Sequence, residues 1–222
     1  MKVSVVIPAL NEANYIGACL KSLLAQTVKP YEVIVVDNNS RDKTAQIAKK
    51  LRARTIHESQ QGIVYARNAG FNAARSEIIA RCDADTVLPV NWIEEIVKVF
   101  EKHNIVAVSG PVYYYDAPFF MRLPIYSRLF FVFMRLLQGH HTLLGFNMAV
   151  KREAWNVVKE KVCNDPVIHE DIDLSIHLAK IGKVFYDTNL IVQSSARRII
   201  KSPYSFFIKY PLMLSSTLLK KH

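Results

Sequence analysis

Cysteine is scarce in this sequence of 222 residues. The three cysteines, Cys19, Cys82 and Cys163, lie far apart and form no Cys-x-x-Cys pair or Cys/His cluster. We therefore expect neither a disulfide framework nor a structural zinc site. Such sparse cysteines are typical of reduced thiols in a cytoplasmic chain.

Long apolar runs and glycine-rich signatures are also missing. Residues 3–7 (VSVVI) are mostly apolar, but Pro8 ends them, so the run is too short for a secretory leader and has the form of a strand. No run of about 20 uncharged apolar residues occurs, which predicts no transmembrane helix. The absence of GxGxxG, GxxxxGK[ST] and GxSxG argues against a dinucleotide redox fold, a P-loop and a hydrolase nucleophile elbow.

Acidic residues are absent from two long segments, residues 117–152 and 188–222. These segments hold the excess of the net charge of +10, and the rest of the chain is close to neutral. No nucleic-acid-binding motif accompanies the charge, so we expect no nucleic acid partner. Basic residues interleaved with Phe and Leu suit a membrane surface. Residues 119–137 are equally suited to a core or a dimer interface.

Short apolar runs alternate with helical stretches, which predicts an α/β fold with a mostly parallel central sheet flanked by helices. In the first half the predicted strands are residues 3–7, 31–36, 54–57, 77–82, 105–109 and 112–115. The first predicted helix has Asn11 or Asn14 as its cap and ends at about residue 26. The other helices between these strands are predicted to span 44–51, 63–74 and 91–103. In the second half we predict strands at 145–150, 183–187 and 190–193, a helix at 171–181 and an amphipathic terminal helix at 202–221 that bends at Pro211.

Asp83 and Asp85 follow a predicted buried strand, with Ala84 between them. On an extended backbone, residues two apart point the same way, so both carboxylates can face one ligand. Mg²⁺ usually takes one or two carboxylates and completes its shell with water and phosphate oxygens. The alternative is a solvated acidic turn, but the position at a strand end favours a metal–diphosphate site.

Further acids stand at the ends of other predicted elements. Asp37 ends the second strand, where a carboxylate either accepts hydrogen bonds from a ribose or base or forms the turn. Glu170 and Asp171 open a helix, where the helix dipole favours acids. A buried acid near a metal can also act as a general base. Ligands of such sheets bind at the carboxyl ends of the strands, so we expect a site beside the polar residues that follow predicted strands. These residues are Asn11, Asp37, Asp83 and Asp85.

Six segments in chain order resemble family 2 glycosyltransferases of the GT-A fold. They are VSVVIPALNE (residues 3–12), VVDNNSRDKT (35–44), GIVYARNAG (62–70), CDADT (82–86), GFNMAV (145–150) and EDIDL (170–174). Each segment alone is weak, whereas six in the right order are specific.

The resemblance implies inverting transfer of a sugar from a UDP- or GDP-type nucleotide diphosphate sugar to an acceptor hydroxyl, with Mg²⁺ or Mn²⁺ as cofactor. It implies a GT-A domain at 1–200, with a nucleotide-sugar-binding half at 1–115 and an acceptor-side half at 116–200, and a basic amphipathic helical tail at 201–222. The implied nucleotide-sugar contacts are Pro8, Leu10, Glu12, Asp37, Arg67, Asp83, Arg197 and Arg198. The implied metal ligands are Asp85 and Asp83, and the implied catalytic base is Asp171, with Glu170 as the second candidate.

The acceptor is the least defined part of this hypothesis. Residues 156–160 (NVVKE) stand where many relatives carry a Gly-Gly-Phe-Asp-like stretch. The basic apolar segments point to a lipid-linked or cell-envelope glycan acceptor at the cytoplasmic membrane face. Two other functions remain open: a non-catalytic nucleotide-sugar-binding protein of the same fold, and a nucleotidyltransferase, which would need a Gly-rich phosphate loop that residues 8–12 lack.

Overall fold

Strands and helices alternate along the chain. The computed structural model describes residues 1–117, 125–165, 167–202, 204, 208 and 210–219, without the side chains of Tyr126 and Arg198. The strands are β1 (Val3–Ala9), β2 (Glu32–Asp37), β3 (Arg54–His57), β4 (Ile78–Arg81), β5 (Ala107–Ser109), β6 (Val112–Tyr114), β7 (Met148–Lys151), β8 (Val184–Tyr186) and β9 (Val192–Ser194). The helices are α1 (Ile16–Leu24), α2 (Thr44–Lys50), α3 (Ile63–Ala73), α4 (Trp92–Lys102), α5 (Ile125–Gln138), α6 (Arg152–Val158), α7 (Glu170–Ala179), α8 (Arg197–Lys201) and α9 (Tyr210–Leu219).

Seven strands form one sheet in the order β3-β2-β1-β4-β7-β5-β8, and β6 pairs with β9 in a second, two-stranded sheet. β1, β2, β3 and β4 are parallel, whereas β7 runs antiparallel to both β4 and β5. The chain moves outward from β1 to β3 and then returns to the other side of β1 as β4. This reversal places a crevice at the carboxyl ends of β1 and β4, where such sheets bind ligands.

Helices cover both faces of the large sheet. Side chains of β1 alternate between the faces: Val5 and Ile7 join one apolar cluster and Val6 joins the other. The first cluster contains residues of α1, α2 and α4, and the second contains residues of α3, α6 and α7. A parallel strand buried on both faces needs apolar residues at successive positions, which explains the mostly apolar sequence of β1.

The expected α/β architecture with a mostly parallel sheet is confirmed, but several local expectations differ. The predicted strand at 145–150 is the shorter β7, and α6 was not expected. α1 begins after Tyr15 rather than at Asn11 or Asn14, because Asn11 bonds a neighbouring loop instead. Pro211 lies in the first turn of α9, where a proline costs no helical hydrogen bond.

Two segments for which the sequence makes predictions lie partly outside the residues that the structure describes. Residues 118–124, with the start of the apolar segment 119–137, and several residues of the predicted terminal helix lie outside the described ranges. Among the helices that the structure does describe, none has both the length and the apolar content to cross a membrane.

Gly70 allows α3 to pack closely against the sheet, so a larger residue at this position should destabilise the fold. A Cβ atom at Gly70 would lie 2.2 Å from Val6 Cγ1 and 2.9 Å from Val36 Cγ2. We expect Gly70→Ala to lower the free energy of unfolding by about 1–3 kcal/mol through overpacking, measured by urea denaturation. The matched control is Gly17→Ala in α1, whose Cβ would meet only Ile47 Cγ2 at 3.8 Å. We expect that change to be neutral or to stabilise by up to about 1 kcal/mol, so equal losses in both variants would contradict the packing argument.

Candidate active site

Hydrogen bonds from Asn11 join the loops that follow β1 and β2. Asn11 has a positive φ of 55°, a conformation that asparagine tolerates better than most residues. Its N–H donates to Ser40 Oγ at 3.0 Å, and its Oδ1 accepts the N–H of Arg41 at 2.8 Å. The N–H of Glu12 donates to Thr44 Oγ1 at 2.8 Å. Glu12 is therefore fixed at the crevice by the second loop.

Asp37 and Asn38 stand at the end of β2, at the same edge of the sheet. Asp37 Oδ1 accepts the N–H of Ser40 at 3.2 Å. The amide of Asn38 donates to the carbonyl of Gln60 at 2.7 Å, and its Oδ1 accepts the N–H of Gly62 at 2.7 Å. Asn38, which sequence reasoning treated only as a turn residue, thus connects the β2 loop to the start of α3.

Asp83 and Asp85 follow β4, but the backbone between them turns. The N–H of Thr86 donates to the carbonyl of Asp83 at 3.1 Å, so the expected extended backbone is absent. The two carboxylates consequently have different neighbours. Asp83 Oδ1 lies 3.9 Å from Arg81 Nη2, whereas the almost buried carboxylate of Asp85 contacts Arg197.

Arg197, in the second half of the chain, binds two acids of the first half, Glu12 and Asp85. Its Nε donates to Asp85 Oδ2 at 2.9 Å and its Nη2 donates to Glu12 Oε1 at 2.6 Å. The guanidinium also lies over the ring of Tyr15, 4.1 Å from the ring centre. Burial lowers the pKa of Arg197, but the bond to Glu12 and the charges of Asp85 and Glu12 outweigh burial and raise that pKa overall.

Asp116 fixes the segment that precedes α8. Its Oδ1 accepts the N–H of Ala196 at 2.6 Å, and its Oδ2 accepts the hydroxyl of Ser195 at 2.5 Å. The hydroxyl of Ser194 donates to Asp85 Oδ1 at 3.3 Å. Sequence reasoning missed Asp116, although it is the last acid before a long acid-free segment.

The other predicted nucleotide contacts lie in different environments. Pro8 is buried within β1, and Leu10 follows it with an exposed side chain. Arg67 is fully buried, and its Nη1 bonds both the carbonyl and the carboxylate of Glu170. It therefore reaches the acid-bearing helix α7 rather than the loops after β1 and β2. The side chain of Arg198 lies outside what the structure describes.

Glu170 and Asp171 form a buried acid pair held by two arginines. Arg67 Nη1 donates to Glu170 Oε2 at 2.6 Å. Arg81 Nη1 donates to Glu170 Oε1 at 2.6 Å and to Asp171 Oδ1 at 2.9 Å. The backbone N–H of Gly145 donates to Asp171 Oδ2 at 2.7 Å. Both acids are thus oriented from several directions, and neither is a solvated residue of a first helical turn.

The environment separates the pKa values of the two acids. Burial raises the pKa of Glu170, but the positive charges of Arg81 and Arg67 outweigh it and lower that pKa to about 2. Burial and the neighbouring charge of Glu170 raise the pKa of Asp171 well above its ordinary value, against the opposing effect of Arg81. Glu170 therefore stays ionised, and Asp171 is the member of the pair that takes up a proton.

Arg81 is the site residue that sequence reasoning missed most clearly. It is the last residue of β4 and is 2% exposed. A Cβ atom at Gly145 would lie 2.3 Å from Arg81 Nη2, so this glycine leaves the space that the guanidinium occupies. An arginine in an otherwise apolar strand was an available signal, because a buried charge requires a partner of opposite sign.

The start of α7 is also held by the C-terminal helix. The N–H of His169, which precedes α7, donates to the buried Thr217 Oγ1 in α9 at 2.8 Å. The rings of His169 and Tyr210 lie 5.8 Å apart. The backbone directly before the acid pair is therefore held by a hydroxyl of α9, which accepts its hydrogen bond.

Arg81 connects the acids of the crevice with the acid pair, since it lies near Asp83 and bonds Glu170 and Asp171. The arrangement combines acids that suit a cation or a sugar hydroxyl with one proton-accepting carboxylate. Within the described ranges, no cluster of three or more His, Cys, Asp or Glu side chains could hold a metal ion alone.

Comparison with known proteins gives consistent matches. Residues 4–157 match the family model described as Glycosyl transferase family 2. The chain is 36% identical over 114 residues to an uncharacterized glycosyltransferase of Nostoc sp., an alignment that covers 49% of this chain and 35% of that protein. It is 36% identical over 118 residues to glycosyltransferase AglE of Haloferax volcanii, covering 50% and 39%. The chain thus spans well under two thirds of these relatives.

Solved structures share the fold. The mannosyltransferase PcManGT of Pyrobaculum calidifontis, in complex with GDP-Man and Mn²⁺, matches with a TM-score of 0.72 and 20% identity, covering 100% of this chain and 65% of that one. S. aureus TarS 1-349, in complex with UDP-GlcNAc, matches with a TM-score of 0.70 and 19% identity, covering 88% and 58%. The GT-A type fold that the sequence predicted is thereby confirmed.

Removal of Arg81 should cost stability in a pH-dependent manner. Arg81→Met leaves two buried carboxylates without their shared cation, and we expect a loss of about 3–5 kcal/mol near neutral pH. The pKa of Glu170 is lowered from 4.5 to about 2, so its stabilising contribution is present above pH 4.5 and is lost as the pH falls towards 2. The difference between wild type and variant should therefore shrink over that range.

Urea unfolding at several pH values measures this difference. The control is Arg152→Met, because the Nε of Arg152 bonds the carbonyl of Ser76 at 2.8 Å rather than a carboxylate. A loss for Arg81→Met that does not change with pH would contradict the assigned ion pairs.

Proposed function

The chain belongs to glycosyl transferase family 2, and we propose that it transfers a sugar from a nucleotide diphosphate sugar to an acceptor hydroxyl with inversion at the anomeric carbon. The observation that most directly supports this proposal is the acid pair Glu170 and Asp171 beside the crevice. Asp171 is buried, oriented by Arg81 and Gly145, and has a raised pKa. A proton acceptor next to acids that suit a cation matches the needs of this reaction.

A UDP- or GDP-type donor is supported by the solved relatives. TarS was solved with UDP-GlcNAc, PcManGT with GDP-Man and Mn²⁺, and the glucosyl-3-phosphoglycerate synthase of Mycobacterium tuberculosis with UDP-Glc and Mn²⁺. We propose that Asp37 accepts hydrogen bonds from the nucleoside, with Pro8, Leu10 and Glu12 lining the pocket. Arg67 would support the pocket by holding Glu170.

The acids of the crevice fit Mg²⁺ or Mn²⁺. The Asp85 carboxylate already binds a cationic group, since Arg197 donates to its Oδ2 at 2.9 Å. We propose that Asp85, with Asp83, holds the divalent ion and that diphosphate oxygens complete its shell. The bound metal would stabilise the charge of the leaving diphosphate as a Lewis acid. Arg197 and Arg198 would supply further positive charge.

Asp171 would remove the proton of the acceptor hydroxyl. Its raised pKa makes it a stronger base than an ordinary aspartate, and the N–H of Gly145 keeps one carboxylate oxygen in a fixed orientation. Glu170 would remain ionised between Arg67 and Arg81 and would keep the pKa of its neighbour high. The two adjacent acids thus have separate tasks.

A membrane location is proposed from α5. Its residues Phe131 and Met134 are buried, whereas Leu129, Val132, Phe133 and Leu136 are exposed and lie beside the exposed Arg128 and Arg135. Apolar side chains with flanking arginines suit the surface of an anionic bilayer. We propose peripheral attachment at the cytoplasmic face and a lipid-linked or cell-envelope glycan acceptor.

The activity prediction concerns Asp171 and Asp85. We expect Asp171→Asn and Asp85→Ala each to lower turnover by about 10²-fold or more, because one removes the base and the other a metal ligand. Turnover of the wild type should fall as the pH is lowered through the raised pKa of Asp171. The measurement is release of nucleoside diphosphate from UDP-Glc, UDP-GlcNAc and GDP-Man with Mn²⁺ and a lipid extract as acceptor source.

Asp165→Asn is the matched control, because Asp165 is an exposed acid before α7. Near-normal turnover of Asp171→Asn would refute the base assignment. If no sugar donor is consumed and neither UDP nor GDP binds with Mn²⁺, the proposed function is wrong.

If the protein attaches to membranes through α5, its binding to lipid vesicles should depend on the charge of the lipid. The protein should co-sediment with vesicles that contain anionic phosphatidylglycerol and bind neutral phosphatidylcholine vesicles far less. Arg128→Glu with Arg135→Glu should weaken binding, since each juxtamembrane base contributes about 1 kcal/mol. Lys49→Glu with Lys50→Glu on α2 changes the net charge equally and should have little effect. Equal, weak binding to both vesicle types would contradict the proposal.

A further inference from the structure

Arg197 occupies the position at which a divalent cation would meet Asp85. On the basis of the proposed function, we infer that Arg197 is an exchangeable counter-ion: it neutralises Glu12 and Asp85 in the empty enzyme, and the divalent ion displaces it from Asp85, which frees the guanidinium for the donor diphosphate. Arg197 thereby links cation binding to donor binding.

The contacts of Asp85 show which oxygen is contested. Oδ1 accepts the hydroxyl of Ser194 at 3.3 Å, whereas Oδ2 lies 2.9 Å from both Nε and Nη2 of Arg197. A cation that approaches from the crevice and binds Oδ2 must take the place of the guanidinium. The guanidinium and the divalent ion would therefore compete for the same oxygen, Asp85 Oδ2.

Burial makes a counter-ion necessary when no metal is bound. The side chains of Glu12 and Asp85 are 6% and 4% exposed and share the same guanidinium. Two nearly buried carboxylates without a cation would be costly, since neither desolvation nor mutual repulsion would be offset. Arg197 is shared between the two carboxylates, and a divalent ion at Asp85 Oδ2 would bring a higher charge to that oxygen than the guanidinium does.

The backbone limits the exchange to a side-chain movement. Asp116 holds Ala196 and Ser195 through hydrogen bonds of 2.6 and 2.5 Å, so the Cα of Arg197 is fixed beside the crevice. The side chain itself is 18% exposed and stacks on Tyr15. Rotation about its own bonds can carry the guanidinium from Asp85 to an anion in the crevice.

The test measures Mn²⁺ binding without nucleotide, by electron paramagnetic resonance of free Mn²⁺. We expect Arg197→Met to bind Mn²⁺ alone roughly tenfold more tightly than the wild type, because the competing charge is gone. The same variant should bind UDP and GDP in the presence of saturating Mn²⁺ more weakly. Lys50→Met, an exposed charge on α2, is the matched control and should change neither affinity.

Mn²⁺ affinity that is unchanged or weaker in Arg197→Met would overturn the inference. If that variant does not fold, Arg197→Lys replaces it: a lysine cannot bridge two carboxylates as the planar guanidinium does, so Mn²⁺ binding should again tighten. A measurement on the wild type is independent of any variant: saturating Mg²⁺ alone should shift the Nε–H resonance of Arg197, and no shift would also overturn the inference. The Mn²⁺ and Mg²⁺ measurements do not depend on sugar transfer. A failure to transfer sugar would contradict the proposed function but would not decide these binding measurements.

Discussion

The buried guanidinium of Arg81 is the interaction on which the site depends. It bonds both Glu170 and Asp171, lies near Asp83, and fills space that only a glycine at position 145 leaves open. Without this charge, two carboxylates inside the protein would repel each other and lose their hydration. With it, Glu170 stays ionised and Asp171 is held in place, while burial and the charge of Glu170 raise the pKa of Asp171 against the effect of Arg81. A single side chain at the end of β4 thus positions both acids and lowers the pKa of each against the effect of burial.

The large sheet could be predicted from the sequence because its central strands β1, β2 and β4 are largely buried and therefore appear as mostly apolar runs. The acids also follow the predicted strands, so Asp37, Asp83 and Asp85 could be assigned to one edge. The contacts of Arg81 and Arg197 could not be predicted, because they join residues from distant parts of the chain. The turn at Asp83 was missed because it depends on a local backbone bond to Thr86 rather than on apolar periodicity.

The site contains two clusters in which arginines neutralise buried acids, one around Glu170 and one around Asp85. The clusters differ in how completely their arginines are buried. Arg67 and Arg81 are completely buried and hold Glu170 from two sides, so that cluster is rigid and its acids keep fixed orientations. The side chain of Arg197 is 18% exposed and its guanidinium lies over the ring of Tyr15, so the arginine of this cluster is less enclosed. The fold therefore places an acid pair held by buried arginines beside acids held by a more exposed arginine.

The antiparallel strand β7 has a consequence for how the protein is made. β7 lies between β4 and β5, so the second half of the chain completes the sheet of the first half. Until residues 145–171 have left the ribosome, Arg67 and Arg81 lack Glu170 and Asp171, and the bond of Glu12 to Arg197 spans 185 residues. The first 115 residues therefore lack these ion-pair partners while they stand alone. The acid pair can reach its arginines only once the second half of the chain is available.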